Sequence, residues 1–167
     1  HGATVYLDVP SVGATVNIIL AAVTTPGTTV IHNAAREPHI VDLANFLILC
    51  GADIEGVGTN DIHIHGVEKL HGTNYTVCPD MIEAGTYMAA VAAVGGSVTL
   101  RNIVPAHLDS IIAKLREMGV SIEPAEADGE TSLTVSSSGA LRATHVKTFF
   151  YPGFPTDMQP QFAPLMC

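Results

Sequence analysis

The sequence predicts an α+β fold built from repeated βαβαββ units, and three observations support this. Two stretches of the chain match each other at an offset of 68 to 69 positions, as Asn33 matches Asn102 and Gly51 matches Gly119. In each stretch, a β-branched run is followed by apolar residues at helical spacing. Each helical run then stops at a glycine, which favours the left-handed conformation that closes a helix. We therefore expect two complete units and the start of a third.

The first unit is predicted at about residues 3–70. It opens with a strand and a helix at 12–23, followed by a strand at 28–33. Pro38 suits the first turn of a second helix, whose apolar face comprises Ile40, Leu43, Ala44 and Leu47. Two short strands at 53–57 and 62–67, joined by a turn at 58–61, complete the unit.

The second unit, at about residues 74–137, repeats this order with a helix at 81–94 and a strand at 97–102. Its second helix presents Leu108, Ile111, Ile112 and Leu115 on one face, and strands at 120–123 and 132–136 flank a turn at 128–130. A truncated third unit, at about 144–167, begins with a strand at 146–148 and a helical pattern from Thr156. Since a lone unit could not bury its apolar helix faces, we expect helix-to-helix packing between units.

Composition and charge exclude several classes of protein. The 167 residues are 47% hydrophobic and 14% charged, which supplies a core and argues against disorder. The net charge of −9 repels nucleic acids and anionic lipid surfaces, so neither is expected as a partner. No apolar run approaches the roughly 20 residues of a membrane span. The chain starts without Met and ends inside an apolar pattern, so we expect an internal fragment.

The cysteines and histidines predict no metal site. Cys50, Cys78 and Cys167 are widely spaced, without a zinc or disulfide pattern, and this indicates a reducing, cytoplasmic compartment. Cys50 ends an apolar helical run and is expected to be a buried, inert thiol. His63 and His65 could form half of a metal site, but no further ligand stands at suitable spacing. We therefore favour histidines on the exposed face of a strand.

Three segments could carry chemistry. Ser11 and Gly13 begin the first helix, where free N–H groups favour an anion such as phosphate, although spacing alone favours a Ser N-cap. Asp157 follows a stretch rich in proline and aromatic residues and could act as a general base or cap a helix. Arg36 and Glu37 precede the second helix and could clamp a substrate, although a capping and solvating role is favoured.

Seven strings of the chain, in order, resemble the UDP-N-acetylglucosamine enolpyruvyl transferase family. They are SVGAT at 11–15, GTTVI at 27–31, NAAREP at 33–38, IVDLANFL at 40–47, GVEKL at 66–70, IEAGT at 82–86 and PGFPTDMQ at 152–159. The resemblance is specific because NAAREP and PTDMQ are long and unusual in composition. It covers nearly the whole chain.

The resemblance implies two similar domains of three βαβαββ units each, an inside-out α/β barrel type, closing over substrates in a cleft. It implies transfer of the enolpyruvyl group from phosphoenolpyruvate to the 3′-hydroxyl of UDP-N-acetylglucosamine, the first committed step of peptidoglycan synthesis. The implied partners are these two substrates, with no obligate protein partner. The implied setting is the bacterial cytoplasm, with no metal or organic cofactor.

The resemblance also assigns roles to residues. It implies that Asp157 is the acid/base carboxylate, and that Ser11, Val12 and Gly13 contact the UDP moiety. Thr156 joins Asp157 among the expected substrate-binding residues.

The chain departs from the family at three positions. Val9, His39 and Met81 stand where many members have Lys, Glu and Arg respectively. The family's reactive-loop cysteine and most of its arginines for phosphoenolpyruvate match no position here, so we expect the fragment alone to be inactive. The alternatives are the sister 5-enolpyruvylshikimate-3-phosphate synthase family and a non-catalytic paralogue that binds sugar nucleotides.

Overall fold

The structure, a computed structural model, describes residues 1–127 and 130–167, so the centre of the turn predicted at 128–130 lies outside the described residues. The described chain divides into two compact units, His1–Cys78 and Pro79–Cys167. The repeat boundaries given above stay a prediction. No helix in the part of the chain that the structure describes has the length and apolar character needed to cross a membrane.

The first unit has the predicted βαβαββ order. Its elements are β1 (Thr4–Tyr6), α1 (Val12–Ala22), β2 (Thr28–His32), α2 (Pro38–Leu49), β3 (Asp53–Glu55) and β4 (Asp61–His65). The sheet order is β1-β2-β4-β3, with β1 parallel to β2 and the other pairs antiparallel. Ile62 and Ile64 alternate with polar residues along β4, and together with Ile31 of β2 they pack against Ile19 and Ile40 of the two helices.

From its first helix onwards, the second unit has helices and strands in the same order as the first, with a 3₁₀ turn before α4 and short helical turns after β7. They are α3 (Met81–Val94), β5 (Gly96–Leu100), a 3₁₀ turn (Pro105–His107), α4 (Asp109–Glu117), β6 (Ser121–Ala127), β7 (Glu130–Ser137), a 3₁₀ turn (Thr156–Met158), α5 (Gln159–Phe162) and a 3₁₀ turn (Ala163–Met166). The sheet is antiparallel in the order β5-β7-β6. Its core joins Ile111 and Val135 to Phe154, Met158 and Phe162 of the carboxyl-terminal turns.

The repeat extends to individual hydrogen bonds where α2 and α4 end. Gly51 N–H donates to Ile48 O at 2.9 Å, and Gly119 N–H donates to Arg116 O at 2.9 Å. Both glycines are left-handed, with φ of 97° and 98°. The matching asparagines, Asn33 and Asn102, also share positive φ values of 59° and 51°. The two stretches therefore repeat in backbone conformation as well as in sequence.

The second unit differs from the predicted order by its first strand. In residues 1–127 and 130–167, no strand lies between β4 and α3. Asp42 of α2 holds the segment before α3, since its Oδ1 accepts hydrogen bonds from the Tyr75 hydroxyl at 2.7 Å and from Cys78 N–H at 3.1 Å. Bonded to a carboxylate, the Cys78 N–H does not serve a strand ladder.

The strand predicted at 146–148 is also incorrect. Thr148 makes one isolated bridge with Phe154. The chain folds back directly afterwards, because Phe149 N–H donates to Phe154 O at 2.9 Å and Gly153 N–H donates to Phe150 O at 2.7 Å. So short a loop leaves no room for a longer ladder.

Candidate functional site

The first candidate group, Ser11, Val12 and Gly13, forms the start of α1. Ser11 is the N-cap, and its Oγ accepts a hydrogen bond from Ala14 N–H at 3.3 Å, so the predicted cap is confirmed. Ser11 and Gly13 are exposed. A Cβ built on Gly13 would meet no atom within 4 Å. An anion could therefore approach this backbone, where the helix dipole and unpaired N–H groups favour negative charge.

Two side chains that were given no role from the sequence hold this helix start against the neighbouring loop. Thr15 is fully buried, and its Oγ1 accepts a hydrogen bond from Ala35 N–H at 3.0 Å. Asn33 Nδ2 donates to Leu7 O at 2.8 Å. The repeated asparagine was the available signal, since asparagine tolerates the left-handed conformation better than most residues.

The turn at Arg36 and Glu37 does not form the cap that its residue types favour. Glu37 takes the N-cap position of α2, but no side-chain hydrogen bond caps the helix there, and Pro38 occupies the first turn. Among the described residues, the buried Glu37 Oε2 has no hydrogen-bond partner. The capping role is therefore not met by Glu37.

The second candidate group, Thr156 and Asp157, lies on the 3₁₀ turn Thr156–Met158. This turn starts after Pro155 and has no side-chain cap, so the capping alternative for this pair is not met. Both side chains are exposed. Phe154 and Met158, on either side of the pair, are 4% and 0% exposed. The turn thus presents the Asp157 carboxyl group to solvent while both of its flanks are fixed in the core.

Contacts within the second unit hold this turn. The rings of Phe154 and Phe162 meet edge to face, with centroids 4.8 Å apart. The Ser110 hydroxyl of α4 donates to Gly153 O at 3.3 Å, just before the turn. After the turn, Gln161 Nε2 donates to Thr86 Oγ1 of α3 at 3.0 Å. Side chains of both helices therefore restrain the backbone around Asp157.

The segment that leads into this turn is held at the end of α4. Arg142 N–H donates to Met118 O at 2.9 Å, and the Thr144 hydroxyl donates to Glu117 Oε2 at 2.6 Å. Hydrogen bonds from Lys114 and then Thr144 hold the pKa of the Glu117 carboxyl group below its usual value. Glu117 accepts these bonds as a carboxylate, so its ionised form is the one that restrains the segment.

The predicted exposure of His63 and the predicted burial of Cys50 are both observed. His63 is exposed on β4, and His65 Nδ1 lies 3.0 Å from Thr28 Oγ1. His32, given no role from the sequence, lies with its Nδ1 2.7 Å from Asp61 Oδ1. Cys50 is 6% exposed, which confirms the buried thiol. Across the described residues, no group of three or more His, Cys, Asp or Glu side chains could hold a metal ion.

The structure places the two candidate groups in different compact units, with Ser11, Val12 and Gly13 in the first and Thr156 and Asp157 in the second. Each group contains exposed residues that lie close in sequence to a buried one, Thr15 in the first unit and Met158 in the second. The first offers backbone N–H groups, and the second offers a carboxylate.

Comparison with known sequences identifies similar proteins. The profile described as EPSP synthase (3-phosphoshikimate 1-carboxyvinyltransferase) matches residues 1–166. UDP-N-acetylglucosamine 1-carboxyvinyltransferase 3 of Caldanaerobacter subterraneus subsp. tengcongensis is 54% identical over 99% of this chain and 39% of its own length. UDP-N-acetylglucosamine 1-carboxyvinyltransferase 2 of Clostridium acetobutylicum is 54% identical over 99% of this chain and 38% of its own length. The chain thus spans well under half of these relatives.

Solved structures agree with the fold. The enolpyruvyl transferase NikO from Streptomyces tendae superposes with a TM-score of 0.74 at 28% identity, covering 92% of this chain and 36% of NikO. EPSP synthase from Acinetobacter baumannii superposes with a TM-score of 0.59 at 26% identity, covering 98% of this chain and 36% of that protein. The α+β fold of enolpyruvyl transferase type, with its repeated units, is therefore confirmed.

Proposed function

This chain belongs to the EPSP synthase family, and on that premise we propose that the whole protein transfers the enolpyruvyl group of phosphoenolpyruvate to the 3′-hydroxyl of UDP-N-acetylglucosamine. The observation that carries the proposal is the 54% identity, over 99% of this chain, to proteins named UDP-N-acetylglucosamine 1-carboxyvinyltransferase. The chain spans 39% of such a relative, so the activity proposed is that of the full-length protein.

In this proposal Asp157 is the acid/base residue. The sugar 3′-hydroxyl gives its proton to the Asp157 carboxylate as its oxygen bonds to C2 of phosphoenolpyruvate, and the methylene carbon C3 takes up a proton as the double bond is consumed. Loss of a proton from C3 then re-forms the double bond as the bond from C2 to the phosphate oxygen breaks and phosphate leaves. The products are the enolpyruvyl ether and phosphate. The exposed carboxylate on a restrained turn supports this role, because a general base must lie within hydrogen-bond reach of the hydroxyl that it deprotonates. Thr156, one residue earlier, contacts the same substrate.

The start of α1 binds the anionic part of the sugar nucleotide. Ser11, Val12 and Gly13 contact the UDP moiety, mainly through backbone N–H groups, since Val9 supplies no cation. The open space at Gly13 and the buried Thr15 beneath the helix start support this role. The proposed setting is peptidoglycan synthesis in the bacterial cytoplasm.

The experiment that tests the reaction measures phosphate release from phosphoenolpyruvate by the full-length protein. We expect release to require UDP-N-acetylglucosamine and to be absent when shikimate 3-phosphate replaces it. Release that requires shikimate 3-phosphate would assign the protein to the sister reaction, which the family description itself names. If neither acceptor supports release while UDP-N-acetylglucosamine still binds, the protein is a non-catalytic paralogue.

A further inference from the structure

Gly85 is a buried glycine in the middle of α3, where glycine is among the least favourable residues. A Cβ built there would lie 2.9 Å from both Sδ and Cε of Met158, and 3.1 Å from Cδ1 of Ile111. Cβ contacts below 3.0 Å are essentially never seen, so a side chain at position 85 would require the end of the Met158 side chain to shift. The Met158 side chain therefore occupies the volume that any larger residue at position 85 would need.

Neither the helix nor the repeat explains this glycine. Gly85 is not among the residues with positive φ, so its backbone conformation is open to other residues. At the offset that relates Asn33 to Asn102, the matching position in α1 is Val16. The repeated unit thus accepts a β-branched side chain at this point of its first helix. What distinguishes the second unit is the Met158 side chain packed against α3.

Met158 directly follows Asp157 and is 0% exposed, whereas Asp157 is exposed. Phe154, three residues before Asp157, is also buried against Phe162. The backbone between these two anchors is a single 3₁₀ turn, so it has little freedom to move. A shift of the Met158 backbone would therefore move Asp157 as well, because the two residues are adjacent on this turn.

We propose that Gly85 and the Met158 side chain form a seat that sets the position of the Asp157 carboxyl group. Gly85 is a positioning residue that acts through Met158. The inference rests on the proposed function, because the position of Asp157 affects the rate only if Asp157 is the acid/base residue. Misplacing a reacting group by about 1 Å can lower a rate about 100-fold, so a small change in the seat has a large effect.

The test is made in the full-length protein with Gly85→Ala. The added methyl group displaces Met158, and we expect kcat to fall about 10- to 100-fold while KM for both substrates changes less than about 3-fold. Gly72→Ala is the matched control, because a Cβ at position 72 meets no atom within 4 Å. We expect wild-type kcat from this control. Unchanged kcat in Gly85→Ala overturns the proposal.

Two further variants separate positioning from loss of folding. Met158→Val removes the atoms that the new Cβ meets, so Gly85→Ala combined with Met158→Val should recover at least about 5-fold in kcat over Gly85→Ala alone. Met158→Val by itself should lower kcat without abolishing folding, as read from circular dichroism. A double variant no more active than Gly85→Ala, or a fully active Met158→Val, contradicts the seat.

Asp157→Asn, measured in parallel, distinguishes this inference from the proposed function. If Asp157→Asn keeps full activity, the acid/base role fails and the seat loses its purpose. If Asp157→Asn is inactive and Gly85→Ala is fully active, only the seat fails.

Discussion

The two compact units share a frame but complete it differently. In the first, β1 pairs with β2, and the core is made from residues before Cys78. In the second, the sheet has three strands, and the core is completed by Phe154, Met158 and Phe162 from beyond β7. What repeats is the frame of helix ends, left-handed asparagines and strand pairing. The second candidate group, Thr156 and Asp157, lies in the part that does not match the first unit.

This difference separates the roles proposed for the two units. The first unit offers the open start of α1, a feature of the repeated frame itself. The second offers Asp157, which lies on the added carboxyl-terminal turns. The two units thus share one scaffold, and the distinct chemistry proposed for the second unit depends on residues that follow β7.

The largest expected effect is on the core of the second unit, where residues from after β7 contribute. Phe162→Ala should lower the free energy of unfolding of the second unit by about 3–5 kcal/mol, because it removes a buried ring that packs against Phe154. Phe46→Ala is the control in the first unit, since Phe46 is 37% exposed and should cost much less. Hydrogen exchange of the full-length protein measures both. Equal effects would show that the second core does not depend on its added turns.

The next effect tests the shared frame. Gly51→Ala and Gly119→Ala should each cost about 1–2 kcal/mol, because both glycines are left-handed. Gly51→Ala should cost slightly more, since its Cβ would lie 3.1 Å from the His71 ring, whereas the nearest side-chain atom to a Cβ at Gly119 is at 3.5 Å. Denaturant unfolding with hydrogen exchange gives the two values. A cost at only one glycine would contradict a shared helix-end structure.

A smaller effect compares the matching helix caps. Ser11 and Asp80 cap α1 and α3, with hydrogen bonds of 3.3 Å from Ala14 N–H and 2.8 Å from Ile82 N–H. Replacement of either by Ala should cost about 0.5–2 kcal/mol. Asp80→Ala should cost more, because a carboxylate makes the stronger cap bond at the positive end of the helix. A larger loss for Ser11→Ala in thermal unfolding would reverse this ranking.

The smallest effect concerns the segment before α3, which contains Tyr75 and lies where the sequence predicts a strand. The hydrogen bond to Asp42, with burial, raises the pKa of Tyr75 from 10.0 to about 12. The pKa of Tyr75 is higher in the folded than in the unfolded protein. The contribution of this hydrogen bond to the free energy of unfolding is therefore fully present below pH 10 and is lost as the pH rises towards 12. Ultraviolet absorbance should follow this titration, and Asp42→Asn should lower the midpoint. An ordinary midpoint for the wild-type tyrosine would show that the contact is not maintained in solution.

The sequence predicted most of the frame because the frame depends on local rules. Gly51 and Gly119 marked helix ends, and apolar spacing located α2 and α4. The strand expected before α3 was missed because the outcome depends on Asp42, a residue distant in sequence that binds Cys78 N–H. Local periodicity in the sequence contains no information on a distant side chain that binds a backbone N–H in place of a neighbouring strand.

The candidate site was only partly predictable for the same reason. Ser11 and Asp157 were found from helix-start chemistry and from the family resemblance, both of which are read along the chain. Gly85 and Ser110 were missed because their contacts with Met158 and Gly153 join segments far apart in sequence. A glycine within a predicted helix, at a position where the other copy has valine, was the available signal.

The central claim is that the carboxylate on the second unit's added turn performs the proton chemistry. The most direct measurement is steady-state phosphate release by full-length Asp157→Asn, together with its Kd for UDP-N-acetylglucosamine and with Asp53→Asn, an exposed carboxylate on β3, as the control. We predict a fall in kcat of about 100- to 10,000-fold for Asp157→Asn, with the Kd little changed and the control fully active. Wild-type turnover by Asp157→Asn would contradict the account.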